Sequence, residues 1–224
     1  MSYSVAQPLL GKRGLNLKTW QLFLLVLLAN IALMLLYNEF ILTLDVYHNI
    51  LSEQMESTRI DEYFETFRKV SQWGYVAQPI MLLIQITFIA LLIQLPLVLV
   101  FIDIRFAYLF RLVTWASLLV TAGGFVRFLW LFNLEAFEIH KNILNMTPFS
   151  INHLLDASVY PETAYMILGK FSVFELCWCF IIYNGLLSTG KIKKEYAALL
   201  IFSMWAALLL FQWGLVAYFQ GASA

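Results

Sequence analysis

The sequence predicts an all-α, polytopic transmembrane helical bundle of five spans, with the N-terminus inside and the C-terminus outside. Three observations carry this expectation. Of 224 residues, 62% are hydrophobic and 12% charged, where a soluble domain holds about 45–50% apolar and about 25% charged residues. So few charges cannot cover a water-facing surface, and mean hydropathy is +0.78. The apolar residues gather in runs of about 20, the length that crosses a hydrocarbon core as a helix. Lysine and arginine also concentrate in alternate connecting segments, as the positive-inside rule requires.

Residues 1–18 read as a short inside tail with Lys12, Arg13 and Lys18, and residues 19–219 as one transmembrane domain. Span one covers residues 20–42. It is too long for a signal-peptide core and no small-residue cleavage site ends it, so it reads as an uncleaved anchor. In the polar segment 45–69, Ile60, Tyr63, Phe64 and Phe67 recur at helical spacing beside Asp61, Glu62, Glu65 and Arg68. That pattern predicts an amphipathic outer helix, either lying on the membrane surface or extending span two.

Span two covers residues 78–102, with Pro79 in its first turn and Pro96 near its far end. Proline suits a first turn because its missing N–H would be unpaired there anyway, and Pro96 is expected to kink the helix. Asp103-Ile104-Arg105 then forces a tight hairpin into span three, residues 106–132, which carries Arg111 and Arg127. The polar segment 133–168 is broken by Pro148 and Pro161, and Phe149, Ile151, Leu154 and Leu155 suit a re-entrant or interfacial turn. Span four covers residues 170–187, a link with Gly190 and three lysines follows, and span five covers the uncharged residues 196–219. Residues 220–224 form an outer tail.

The net charge of zero divides accordingly. The inside segments sum to +6, the outer ones to −5, and the embedded residues Glu39, Arg127 and Glu175 to −1. This split sets the orientation. It also argues against nucleic-acid binding, since no long basic run or basic-aromatic patch occurs.

Ionisable residues inside spans are costly and mark function or pairing. Glu39, Arg127 and Glu175 lie at similar predicted depth and form a candidate intramembrane charge cluster. An Arg127–Glu175 or Arg127–Glu39 pair would fix helix order. The other reading is a polar cavity or ion path, with Asn30, Gln85, Gln94, Asn184 and Gln212 adding only scattered polarity. Ser203, Ala207 and Gly214 give span five a candidate helix-packing face for a neighbour or another subunit. Gly123-Gly124 suits close helix contact.

No catalytic, cofactor or metal site is expected. Cys177 and Cys179 fall about 200° apart on a helix, and His48, His140 and His153 match no zinc spacing. No phosphate loop, dinucleotide fingerprint or nucleophile elbow occurs. Asn145-Met146-Thr147 is a formal glycosylation sequon, though Pro148 follows it.

Thr147-Pro148-Phe149-Ser150, the run Leu168-Gly169-Lys170-Phe171-Ser172-Val173-Phe174-Glu175, Trp178, Gly185-Leu186, the lysine link, Tyr196-Ala197-Ala198 and Trp205 form a recognisable series. Over residues 145–219 it resembles the Yip family of Ypt/Rab-interacting five-span membrane proteins, especially compact bacterial members. The N-terminal half departs from that family in lacking a long cytosolic domain. The resemblance implies a non-enzymatic integral protein of a bacterial inner membrane that organises membranes or partners and needs no cofactor. The expected role is therefore a scaffold or accessory subunit in membrane organisation or trafficking-like processes. Its expected partners are the lipid bilayer, other membrane proteins or further copies of itself. The alternative is a transporter or channel subunit built on Glu39, Arg127 and Glu175. A third class, a membrane-embedded enzyme, would need a pocket gathering His140, Glu138 or His153.

Overall fold

A computed structural model describes residues 17–52, 55–155 and 159–222. Lys12, Arg13 and most of the expected inside tail lie outside these residues, as do the last two of the outer tail. Among the described residues every regular element is helical. The main ones are α1 (Thr19–Leu36, continued by a π-helical turn Tyr37–Ile41), α2 (Leu44–Leu51), α3 (Ser57–Leu99) and α4 (Phe106–Phe132). There follow the short α5 (Lys141–Asn145) and α6 (Glu162–Leu168), then α7 (Val173–Ser188) and α8 (Lys194–Ala222).

Four helices are long and apolar enough to cross a membrane: Thr19–Ile41, α3, α4 and α8. The expected fourth span begins later than predicted. Residues 170–172 are not helical, and α7 has 16 residues, about 24 Å at 1.5 Å per residue against a hydrocarbon core of about 30 Å. The observed limits of α4 coincide with the predicted span three.

The largest departure is α3, an uninterrupted helix of 43 residues, about 65 Å long. The amphipathic stretch is therefore not a separate outer helix but the N-terminal half of the same rod as span two. Pro79 lies in the helix interior, not in its first turn. It removes one hydrogen bond, to the Tyr75 carbonyl, and the flanking turns carry the helix through. The apolar stripe of the extension is covered by α2. The Tyr47 ring meets Tyr63, Phe64 and Phe67 at 6.1, 5.3 and 5.4 Å, and His48 Nε2 lies 2.9 Å from Asp61. Burial, with Tyr63 beside it, pushes the Tyr47 pKa up to about 12, so that phenol stays neutral at physiological pH.

The spanning parts of the helices are apolar nearly all round and pack through one continuous core that draws on α1, α3, α4, α7 and α8, with Val26, Ile93, Val113, Ile182 and Ala197 at 0% exposure. Helix α4 is central and touches α1, α3 and α7. Glycines permit the closest approaches. A Cβ on Gly124 would meet Leu33 at 2.5 Å, and one on Gly185 would meet Leu112 at 2.2 Å. A second cluster, Ile41, Val46, Phe128, Leu131 and Ile139, closes the opposite end.

The basic segments meet at one end of the bundle. Arg111 Nη2 donates to the Leu17 carbonyl at 3.0 Å, Lys191 Nζ donates to the Asp103 carbonyl, and Tyr108 donates to the Gly185 carbonyl at 2.7 Å. We call this the basic end. Tyr196, near the start of α8, donates to the Pro96 carbonyl at 3.2 Å and ties α8 to α3 there. Above Leu208 the described side chains of α8 are all at least partly exposed, so that half of the helix leaves the core.

Candidate functional site: a polar cavity between the helices

Asn30 starts the site. It follows buried Val26 and Leu27 on α1, and its Nδ2 donates to the Val26 carbonyl at 2.8 Å and to Thr121 Oγ1 on α4 at 3.0 Å. Thr121 in turn donates to the Ser117 carbonyl at 3.0 Å, and Ser117 to the Val113 carbonyl at 2.9 Å. Hydroxyls bonding back by one turn satisfy themselves on their own helix. Asn30 Oδ1 is left with lone pairs to offer.

These groups line a cavity of about 130 Å³. Gln85 of α3 and Gln212 of α8 stand at its rim, both exposed. Trp178, Trp205 and leucines supply its apolar wall. Lys170 and Glu175 complete the lining. The site therefore draws polar side chains from five helices and one turn.

The turn that holds Lys170 and leads into the first turn of α7, where Glu175 sits, explains why α7 starts late. Ser150 and Ser172 form an isolated antiparallel bridge, with Ile151 N–H donating to the Phe171 carbonyl at 3.2 Å and Val173 N–H to the Phe149 carbonyl at 3.0 Å. Below it, fully buried Asn152 donates to the carbonyls of Asn145 and Tyr165 and accepts from Thr147 N–H and the Ser150 hydroxyl. Irregular backbone deep in a bundle survives only when such partners satisfy it. Phe149, at φ 57°, sets its ring 6.3 Å from Phe174. Phe174 occupies the space a Cβ on Gly123 would need, at 2.7 Å. Phe171 stacks edge-on against Trp205 at 4.9 Å. Ser172 then caps α7 by accepting from Glu175 N–H at 3.2 Å.

Among the described residues the Glu175 carboxylate and the Lys170 ammonium have no hydrogen-bond or ion-pair partner, although both line one cavity. Glu175 is half-buried, where a carboxylate without a hydrogen bond is expensive, and Lys170 stands exposed at the edge of the same cavity.

The expected charge cluster does not assemble. Glu39 is exposed and pairs with Arg68 at 3.6 Å, because the extension of α3 runs beside the end of α1. Arg127 donates through Nη2 to the Leu144 carbonyl, and its Nε is buried without a partner, as is the Tyr37 hydroxyl. No ion pair joins Arg127 to Glu39 or to Glu175. Of the three, only Glu175 reaches the cavity. The expected packing face of span five is also not used within the chain. Ser203, Ala207 and Gly214 are exposed, and a Cβ on Gly214 would meet nothing within 4 Å. The adjoining face, Ala197, Leu200, Ile201 and Met204, is the buried one and belongs to the continuous core.

Cys177 is exposed, Cys179 is half-buried, and neither is bridged. Among the described residues no group of three histidines, cysteines or acids could hold a metal. His153 instead sets its ring edge-on to Trp130.

One signal for the cavity was in the sequence. Asn30, Gln85, Thr121 and Glu175 stand 11, 14, 15 and 13 residues from the basic-end terminus of their helices, about 17–23 Å along each axis. Counting depth along antiparallel spans would have aligned them. Lys170 was hidden because it read as loop.

No protein-family model, characterised protein or solved structure matches this chain.

Proposed function

We propose that the chain is a five-span integral membrane protein that takes a small polar ligand into its bilayer-embedded cavity, as a transporter or channel subunit does. One observation carries this reading: polar side chains from five helices and one turn converge on one cavity, and two of them are charges with no hydrogen-bond or ion-pair partner among the described residues. Intramembrane ionisable groups that face a cavity mark ligand or ion pathways. In this topology α7 is the fourth span, shortened because residues 170–172 are not helical. The basic end is inside and Ala224 outside, in a bacterial inner membrane. A reporter fused after Ala224 should be active only when exported; cytoplasmic activity removes the five-span arrangement.

The test of function is solute entry into proteoliposomes, followed by stopped-flow swelling with neutral, cationic, anionic and zwitterionic solutes. At least one class should enter about tenfold faster than into protein-free vesicles, and Glu175→Gln should remove most of that gain. Permeability equal to protein-free vesicles for every class defeats the transport reading.

The non-enzymatic scaffold, the role that the Yip resemblance implies, is the second reading. It is favoured by the exposed face of α8 on which Ser203, Ala207 and Gly214 offer small-residue contact to another helix. Purification in mild detergent should then return a second membrane protein or a second copy. Recovery of the chain with lipid alone counts against it.

A further inference from the structure

We infer that the cavity selects a zwitterion, a ligand carrying an ammonium and an anionic oxyacid group a few bonds apart. The inference rests on the cavity being a ligand site. Its distinguishing fact is that Glu175 and Lys170 line the same cavity without forming an ion pair with each other, and neither has any other partner among the described residues. Glu175 is half-buried, where an unpaired charge is costly, and Lys170 is exposed at the cavity's edge. A cation alone would meet Glu175 but be repelled by Lys170 beside it, and an anion alone would meet Lys170 but be repelled by Glu175. A ligand with both charges bridges the gap and satisfies both, through charge-assisted hydrogen bonds at each end.

The neutral groups fit the same ligand. Asn30 Oδ1 is an acceptor not used by the two bonds its amide nitrogen donates, and it adds to the cation-binding side with Glu175. Gln85 and Gln212, at the rim, each offer both donor and acceptor capacity. The volume of about 130 Å³ is close to that of a cavity known to hold one benzene molecule, about 150 Å³, so the enclosed part of the ligand has about half a dozen heavy atoms. Two sources supply this chemistry: a free zwitterion, or the head of a zwitterionic phospholipid entering past the exposed Gln85–Gln212 rim.

Binding to the purified full chain in detergent separates the possibilities. The probes are glycine and O-phosphoethanolamine, with ethanolamine as the cation alone and inorganic phosphate as the anion alone. At least one zwitterion should raise the melting temperature and bind about tenfold or more tighter than either single-charge probe. Glu175→Gln and Lys170→Met should each lose about tenfold of that affinity, with ligand-free melting temperatures near wild type as the check on folding. Native mass spectrometry from nanodiscs of equal phosphatidylethanolamine and phosphatidylglycerol then identifies the source. Selective retention of phosphatidylethanolamine, lost in Glu175→Gln, supports the lipid head. Equal retention together with glycine or O-phosphoethanolamine binding supports the free zwitterion. If a single-charge probe binds as tightly as the zwitterions, a polar-ligand cavity survives and the zwitterion assignment falls. If no probe and neither lipid binds selectively, both fall.

Discussion

Replacing Gly185 with alanine should lower the stability of the detergent-solubilised protein by about 1–3 kcal/mol, the cost of overpacking a filled core. The added Cβ would stand 2.2, 2.6 and 2.9 Å from Cδ1, Cδ2 and Cγ of Leu112. Leu112 is 2% exposed and belongs to the continuous core, so its whole side chain must move and has nowhere to go. The same glycine accepts the Tyr108 hydroxyl through its carbonyl, so a shift of α7 also loosens that link between α4 and α7. Leu112→Ala should be destabilising alone, yet the double variant should recover part of the Gly185→Ala loss, giving a coupling energy of opposite sign. Gly214→Ala is the internal control. Nothing stands near its Cβ, and alanine favours the helix by up to about 1 kcal/mol, so that change should be neutral or stabilising. Equal melting temperatures for wild type and Gly185→Ala would show that α4 and α7 do not meet as described.

Asn152→Ala should release the turn that holds Lys170 and leads into the first turn of α7. Truncation leaves the Asn145 carbonyl and the Thr147 N–H without their side-chain partner, while the Tyr165 carbonyl keeps the Gly169 N–H at 3.2 Å. Each buried group left unsatisfied costs about 1–3 kcal/mol, which is enough to unlatch a local segment before the bundle unfolds. Hydrogen exchange should therefore speed up at least about tenfold at the Ile151 and Val173 amides, since 1.4 kcal/mol is a factor of ten. Amides in the middle of α4 should keep their protection. Ligand affinity should fall with the turn, because it holds Lys170 and, through the Ser172 cap, the first turn of α7 with Glu175. Unchanged exchange at Ile151 and Val173 would remove Asn152 from the role of latch.

Some features were legible because they depend on local pattern. The limits of α4 follow from one apolar run between Arg105 and Asn133, in which Arg111 and Arg127 are the only charges. The close contact at Gly123-Gly124 follows from two adjacent residues without a Cβ, now filled by Phe174 and Leu33. The extension of α3 was legible only as an alternative. Periodicity reveals an apolar stripe but not whether Gly74 and Pro79 interrupt the rod, and packing of α2 against Tyr63, Phe64 and Phe67 favours continuity. The Arg127 pairing failed for a related reason: similar depth does not imply a shared azimuth.

The sequence by itself determined that the chain is helical, rich enough in apolar residues to belong in a bilayer, and charge-divided between its two ends. These properties come from composition, run length and charge order, each read within about 20 residues. Only the tertiary structure decided which charge faces what. The long helices are apolar nearly all round, so they carry no stripe to set their rotation, and lipid tails solvate leucine as well as a neighbouring helix does. Rotation is set instead by side-chain fit, with Gly185 against Leu112 and Asn30 against Thr121. That fit turns Glu175 and Lys170 into one cavity and leaves Glu39 at the surface with Arg68.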